Sequence, residues 1–441
     1  ESEIIGLLKT TVPLGSNLQI LMVASPKIGA KLDHWEVSRQ NSSEILKELS
    51  SKRSNYFKEF AYSPAKMRDF KVFLSYSAQL KGRLTEYNKK EIKELREAII
   101  TLFESIGLST SVLDAKDLIS MLNGLVAPKK DIYSRQRSWN KVSSISSQIS
   151  DTDTSLQVTP DGLLIDEGEF LIRSYSAVNY PNEWYLGAMD LLIGDNYRDL
   201  LQIECPFIIS YNIHFVADRS LQAGLMAKGA RVESQSNSIL AKWLPSIVRQ
   251  ADEWRFVREQ IEAGERLVRT SYQVALFSDK KNISKDSQRL LSLYRSNRWE
   301  LANDKYIQLP SFVSMLPMSW GEGMSMDMVN FKRSRITLSH EPINLLPIQG
   351  EWKGTKSPGM LLTSRKGQVF YWSPFDNDSG NYNVCIAGRS GSGKSVFMQD
   401  LMTSILGLGG KVFVLDVGRS FEKTARLLGG NFIEFSSASN V

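Results

Sequence analysis

Apolar residues along this chain fall into two rhythms, one of period two and one of period three to four. NLQILMVAS near the start and DFKVFLSYS further on predict strands, and Phe70, Val72, Leu74 and Tyr76 alternate in the second. Between Tyr87 and Gly107 the apolar positions Ile92, Leu95, Ile99, Leu102, Phe103 and Ile106 recur at helical spacing. Gly107 stands where a helix C-cap belongs. A shorter helix is predicted from Ala115 to Val126, stopping at Pro128. Ser143 to Thr154 is rich in Ser, Thr and Asp and predicts a flexible connector.

Beyond the connector, SLQVTPDGLLIDEGEFLIRSYSAV is strand-rich and broken by Pro-Asp-Gly and Glu-Gly-Glu. FIISYNIHF and TSYQVALF predict strands. A helix is expected from about Ser246 to Gly264, with Ile247, Ala251, Trp254, Val257 and Ile261 on one face. SKDSQRLLSLYRSN predicts another, and MLLTSRKGQVFYWSPF a hairpin turning at Arg-Lys-Gly. Such alternation gives a mixed α/β or α+β chain. The expected division is 1–155 for a first lobe with its connector, 156–340 for a second, 341–375 for a β-rich linker and 376–441 for the start of a further domain. No internal repeat is visible.

Composition changes this picture little. The 441 residues suffice for about three domains. With 54 basic against 48 acidic residues the net charge is +6, mild for the length and unlike a dedicated nucleic-acid binder. Cys205 and Cys385 are far apart in sequence and suggest no disulfide framework. His34, His214 and His340 lack metal-ligand spacing. No apolar run approaches the roughly 18 residues that cross a bilayer. The first residue is Glu1, so an upstream segment is expected.

Chemistry concentrates in NVCIAGRSGSGKSVFMQDLMTSIL. Val384 to Ala387 suit a buried parallel strand. Gly388, Arg389, Ser390, Gly391, Ser392, Gly393, Lys394 and Ser395 then match G-x-x-x-x-G-K-[ST] in full. Phe397, Leu401 and Ile405 follow at four-residue spacing on a helix. Glycines let backbone N–H groups converge on phosphates, Lys394 brings a positive charge to the β/γ oxygens, and the Ser395 hydroxyl suits magnesium. This loop predicts an ATP and Mg2+ site. Val412 to Leu415 would form the next parallel strand, ending at Asp416. That carboxylate either reaches the magnesium shell or attacking water, or caps the helix beginning near Phe421. Arg419 is a weaker candidate. The acidic pair that polarises water in such enzymes has one imitation, Asp166-Glu167, where a hairpin turn is the simpler reading.

The run from Asn381 to Phe435 closely resembles the TraC proteins of F-type conjugation, counterparts of the fourth VirB component of type IV secretion systems. GEWKGTKSPGMLLTSRKGQVFYWSPFDN, RSYSAVNYPNEW and LQILMVASPKI extend the likeness upstream. The resemblance implies the start of a RecA-like domain of the FtsK/HerA type, apparently truncated. It also implies a hexameric ATPase, cytoplasmic and peripheral on the inner membrane, that energises pilus assembly and DNA or protein transfer. Implied partners are further copies of the chain (a hexamer or a multiple of dimers), inner-membrane components, a coupling ATPase and pilin. A DNA translocase and a non-enzymatic docking adaptor are the alternatives. Without the acidic pair, this chain by itself is expected to be a poor ATPase.

Three weaker features remain. APKKDIYSRQRSWNK interleaves Lys129, Lys130, Arg135, Arg137 and Lys141 with Tyr133 and Trp139, which suits either single-stranded DNA or a solvated loop. KRSR at 332–335 suits a subunit interface or a surface for an acidic partner. Met315, Met318, Met324, Met326 and Met328 crowd what looks like one Gly-containing loop, packed on its neighbouring domain.

Overall fold

The computed structural model describes residues 2–62, 66–80, 82–198, 201–236, 238 and 245–435. The strands of its first half are β1 (Ser16–Ser25), β2 (Asp69–Ala78), β3 (Leu156–Thr159), β4 (Gly162–Ile165), β5 (Phe170–Asn179) and β6 (Phe207–Phe215). Then come β7 (Leu267–Ser278), β8 (Glu300–Asn303), β9 (Arg335–Leu338), β10 (Met360–Thr363) and β11 (Val369–Trp372). The helices begin with α1 (Ser2–Gly6), α2 (Gly29–Val37), α3 (Glu44–Glu59), α4 (Glu86–Ser105), α5 (Ala115–Val126) and α6 (Ile145–Ile149). Those after β6 are α7 (Arg219–Ser236), α8 (Pro245–Glu262), α9 (Ile283–Ser296), α10 (Gln308–Met315), α11 (Glu322–Asn330), α12 (Lys394–Gly407) and α13 (Glu422–Leu427).

Two units result, and neither is continuous in sequence. The first takes Glu1–Ala24, Phe70–Lys129 and Arg135–Gly350; the second takes Ser25–Asp69, Lys130–Ser134 and Glu351–Val441. The first is built on a sheet ordered β2-β1-β6-β7-β5-β4-β3, with β8 added to β5 and β9 to β7. The ladders β1·β6, β6·β7, β5·β7, β4·β5 and β3·β4 are antiparallel. The mixed helix-and-strand composition expected for the N-terminal region is therefore present in antiparallel form. A boundary at 155 falls inside this sheet, because β1 registers residue by residue on β6 from Asn17↔His214 to Ala24↔Phe207.

Every residue of β6 is buried, yet its two faces differ. Phe207, Ile209, Tyr211, Ile213 and Phe215 enter the apolar core with Leu18 and Ile20 of β1, Tyr272 of β7 and Trp299. The opposite face carries Ser210, Asn212 and His214 under α10. There Gln19 Nε2 donates to Ser210 Oγ at 3.0 Å and to the Met315 carbonyl at 2.9 Å, and Gln273 Nε2 donates to Ser311 Oγ at 2.9 Å. Paired donors and acceptors make this layer tolerable away from water.

Several local expectations meet different surroundings. The Ser-rich connector holds α6, capped by Ser144, and its Asp151 pairs with Arg135 Nη1 at 2.7 Å, with Arg137 and with Lys129. Three of the five cations in the basic-aromatic stretch are thus engaged by one carboxylate, which favours the loop reading. Within KRSR, Lys332 is exposed, whereas Arg333 Nε donates to the fully buried Asp304 at 2.6 Å and Arg335 lies over the Tyr180 ring. The methionine loop is largely helical, since Met315 ends α10 and Met324, Met326 and Met328 lie on α11; Met315 and Met328 are buried. Asp166 begins the turn between β4 and β5, at φ +49°, and accepts a bond from the Ser155 amide. Only the Glu167 backbone is described. The turn reading holds for this pair.

The second unit joins the α2–α3 pair to the β10–β11 hairpin and α12. Its core contains Ile28, Leu32, Trp35 and Phe57 from the early segment with Leu361, Val369 and Tyr371 from the late one. Trp35 Nε1 donates to the Gly359 carbonyl at 2.8 Å across 324 residues of sequence. Asp69 accepts from Lys31 at 3.0 Å and Lys353 at 2.8 Å. Burial alone would raise its carboxyl, but the two ammonium groups hold it at about 2.

Candidate nucleotide site

The loop from Gly388 to Gly393 runs directly into α12, and its glycines are required where they stand. Gly391 and Gly393 have φ of +74° and +93°, left-handed values that a side chain disfavours. A Cβ on Gly388 would lie 2.5 Å from Ser392 Oγ. The loop tightens through Ser392 N–H to the Arg389 carbonyl at 3.2 Å, and α12 starts with Phe397 N–H on the Gly393 carbonyl at 2.9 Å. Free N–H groups of the first helical turn point back towards the loop and favour an anion there.

Lys394 and Ser395 occupy the first two positions of α12. The Lys394 ammonium curls back to the Gly388 carbonyl at 2.7 Å and the Arg389 carbonyl at 2.9 Å. Phosphate oxygens entering the loop would exchange those neutral acceptors for charged ones. Ser395 is exposed in the first turn, as are Arg389, Ser390 and Ser392 in the loop. The donor set of N–H groups, an ammonium and a hydroxyl fits a magnesium-bound triphosphate.

The expected flanking strands differ from the sequence reading. Among the described residues neither Val384 to Ala387 nor Val412 to Leu415 joins a ladder. Phe413 and Leu415 are 93% and 97% exposed, because parallel strands hold together only with hydrogen-bonded neighbours. Asp416 Oδ2 accepts from the Phe421 amide at 3.2 Å in the turn that leads into α13, whose own N-cap, Phe421, carries no side-chain cap bond. Arg419, at φ +58°, pairs with Glu434, which raises its guanidinium further. Gln399 of α12 donates to the Ser420 carbonyl at 3.0 Å and so ties that turn to the P-loop helix.

Sequence reasoning missed the residues that hold α12. Arg53 of α3 donates to Asp400 of α12 at 2.5 Å and to the Leu361 carbonyl at 2.6 Å. Arg39, just after α2, is almost fully buried and donates to the carbonyls of Trp35 at 2.9 Å, Pro358 at 3.0 Å and Gly359 at 2.5 Å. Burial pulls its pKa down to about 10, helped by neighbouring Arg53 and opposed by Asp400. Trp372 and Phe397 bring their rings to 6.0 Å. No local pattern announces the pairing of Arg53 with Asp400 and Leu361, or of Arg39 with Pro358 and Gly359, partners more than 300 residues apart in sequence.

A glycine-cradled loop that opens a helix with Lys-Ser defines the P-loop class of nucleotide-binding domain. A family model described as the TraG P-loop domain matches residues 371–441. The chain belongs to the TraC protein family, whose model matches residues 1–320. It is 23% identical over 455 aligned positions to Protein TraC of Escherichia coli (strain K12), an alignment covering 97% of this chain and 51% of that protein. The chain spans about half the length of that curated relative. Among the described residues no helix is long and apolar enough to cross a membrane.

Proposed function

We propose that this chain supplies the ATP-gripping loop of a conjugation ATPase. The carrying observation is the loop from Gly388 to Ser395, formed at the head of α12 in a member of the TraC family. The N–H groups of the loop and Lys394 hold the β- and γ-phosphates, and the Ser395 hydroxyl holds the metal. When bound there, magnesium would supply neutralisation of the phosphate charge. In this reading hydrolysis energises pilus assembly and transfer of DNA or protein by a self-associated ring, a hexamer or a multiple of dimers. The ring works at the cytoplasmic face of the inner membrane, beside inner-membrane components, a coupling ATPase and pilin. Pairing of the basic-aromatic stretch with Asp151 argues against that stretch as a DNA track, which weakens the translocase alternative.

Ligand-induced stabilisation tests the reading on the intact protein. ATP with Mg2+ at a hundredfold its dissociation constant should stabilise the second unit by about 2.7 kcal/mol. Millimolar ATP with Mg2+ that leaves the melting profile unmoved, and shows no binding by calorimetry, would refute it.

A further inference from the structure

We propose that Arg53 is a positioning residue for the nucleotide loop, and that the α2–α3 pair is thereby a control arm for the P-loop. The proposal rests on the nucleotide-site reading above. Asp400 lies five residues after Ser395, so at the helical rise about 7.5 Å of rigid helix separates the ion pair from the loop. Arg53 grips α12 at Asp400 and β10 at the Leu361 carbonyl, with both partners less than one-third exposed. Lower on the same helix, Gly407 lies against the Arg39 side chain, whose Cγ would stand 3.3 Å from a Cβ placed there. Arg39 is itself pinned to Trp35 and Gly359 and carries its guanidinium over the Trp35 ring at 3.9 Å.

Two grips on one helix fix both its axial position and its tilt. The phosphate-facing N–H groups belong to the N-terminal end of that helix, where Phe397 also meets Trp372. A shift of the α2–α3 pair therefore moves the loop without touching nucleotide. Near-attack geometry is sensitive to displacements of about 1 Å, each of which can cost around 10²-fold in rate.

The test uses the intact protein, ATP with Mg2+, and both equilibrium binding and steady-state turnover. Arg53→Ala and Asp400→Asn should each weaken ATP binding about tenfold or more and lower turnover further, at temperatures where both remain folded. Arg53→Lys keeps the charge but loses the second bond, and should fall between these and wild type. The exchange Arg53→Asp with Asp400→Arg restores a pair of opposite charges and should recover binding to within about threefold. Lower melting temperatures with unchanged ATP affinity and turnover in the folded variants would overturn the proposal, as would failure of the exchange to recover binding. If wild-type protein binds no ATP, the underlying nucleotide reading fails, and the positioning role with it.

Discussion

Lys394→Ala in the intact protein is expected to cut ATP turnover by about 10²–10³-fold, the usual cost of removing a group aimed at developing charge. The fold should survive. Lys394 Nζ bonds only to the carbonyls of its own loop, Gly388 and Arg389, and neither carbonyl is buried. Once released, those acceptors can turn to water, so the unfolding midpoint should stay within the roughly ±0.5 kcal/mol typical of surface changes. Affinity for ATP should fall as well, since the ammonium contacts phosphates in both ground and transition states. Conjugative transfer at wild-type frequency by this variant would end the motor reading. Unchanged turnover in purified protein would do so more directly.

Trp299→Ala should be the most damaging single truncation in the first unit. Trp299 is 1% exposed, and its ring centroid lies 4.8 Å from Tyr180, 4.9 Å from Tyr272, 5.3 Å from Trp184 and 6.1 Å from Tyr294. Close packing on every side leaves a cavity that the surrounding sheet cannot fill. The expected loss is about 3–5 kcal/mol. Trp299→Phe should cost much less, because the indole Nε1 is buried with no hydrogen-bond partner and its removal relieves an unpaired donor. Chemical denaturation followed by tyrosine and tryptophan fluorescence reads both. A midpoint for the alanine variant close to wild type would show that the aromatic cluster is not the centre of this core.

Most patterns confined to one element were legible in the sequence, although the apolar runs at Val384 to Ala387 and Val412 to Leu415 join no ladder among the described residues; associations between distant elements were not legible. β6 and β7 sit where their apolar runs place them, and α4 buries Leu95, Ile99 and Phe103 as its spacing requires. α7 escaped notice because it has little apolar face of its own. It is held by α8, where Trp254 approaches Gly229 so closely that a Cβ would lie 2.8 Å away, and where Arg258 pairs with Glu233 at 2.7 Å. The alternating methionines of α11 imitate a period of two, yet only Met328 is fully buried there. The P-loop is legible as a motif because its pattern is local: glycines that take positive φ at Gly391 and Gly393, then Lys and Ser at the helix start. What braces that helix was invisible, since Arg53 and Asp400 are joined by folding rather than by spacing.

The split composition of the second unit bears on the order in which a ribosome delivers it. Trp35 leaves the ribosome 324 residues ahead of its acceptor at Gly359, a delay of roughly 16–65 s at about 5–20 residues per second. During that interval Ile28, Leu32, Trp35 and Phe57 have no late-segment partners, while nearly all of the sheet unit emerges between the two halves. A nascent chain halted with Gly350 just outside the exit tunnel should therefore resist protease across the β-sheet and be cut readily between residues 25 and 69. The early helices are committed to a unit that only the segment after Gly350 can close, so chaperone occupancy on them should persist through synthesis of the sheet unit and fall when α12 appears.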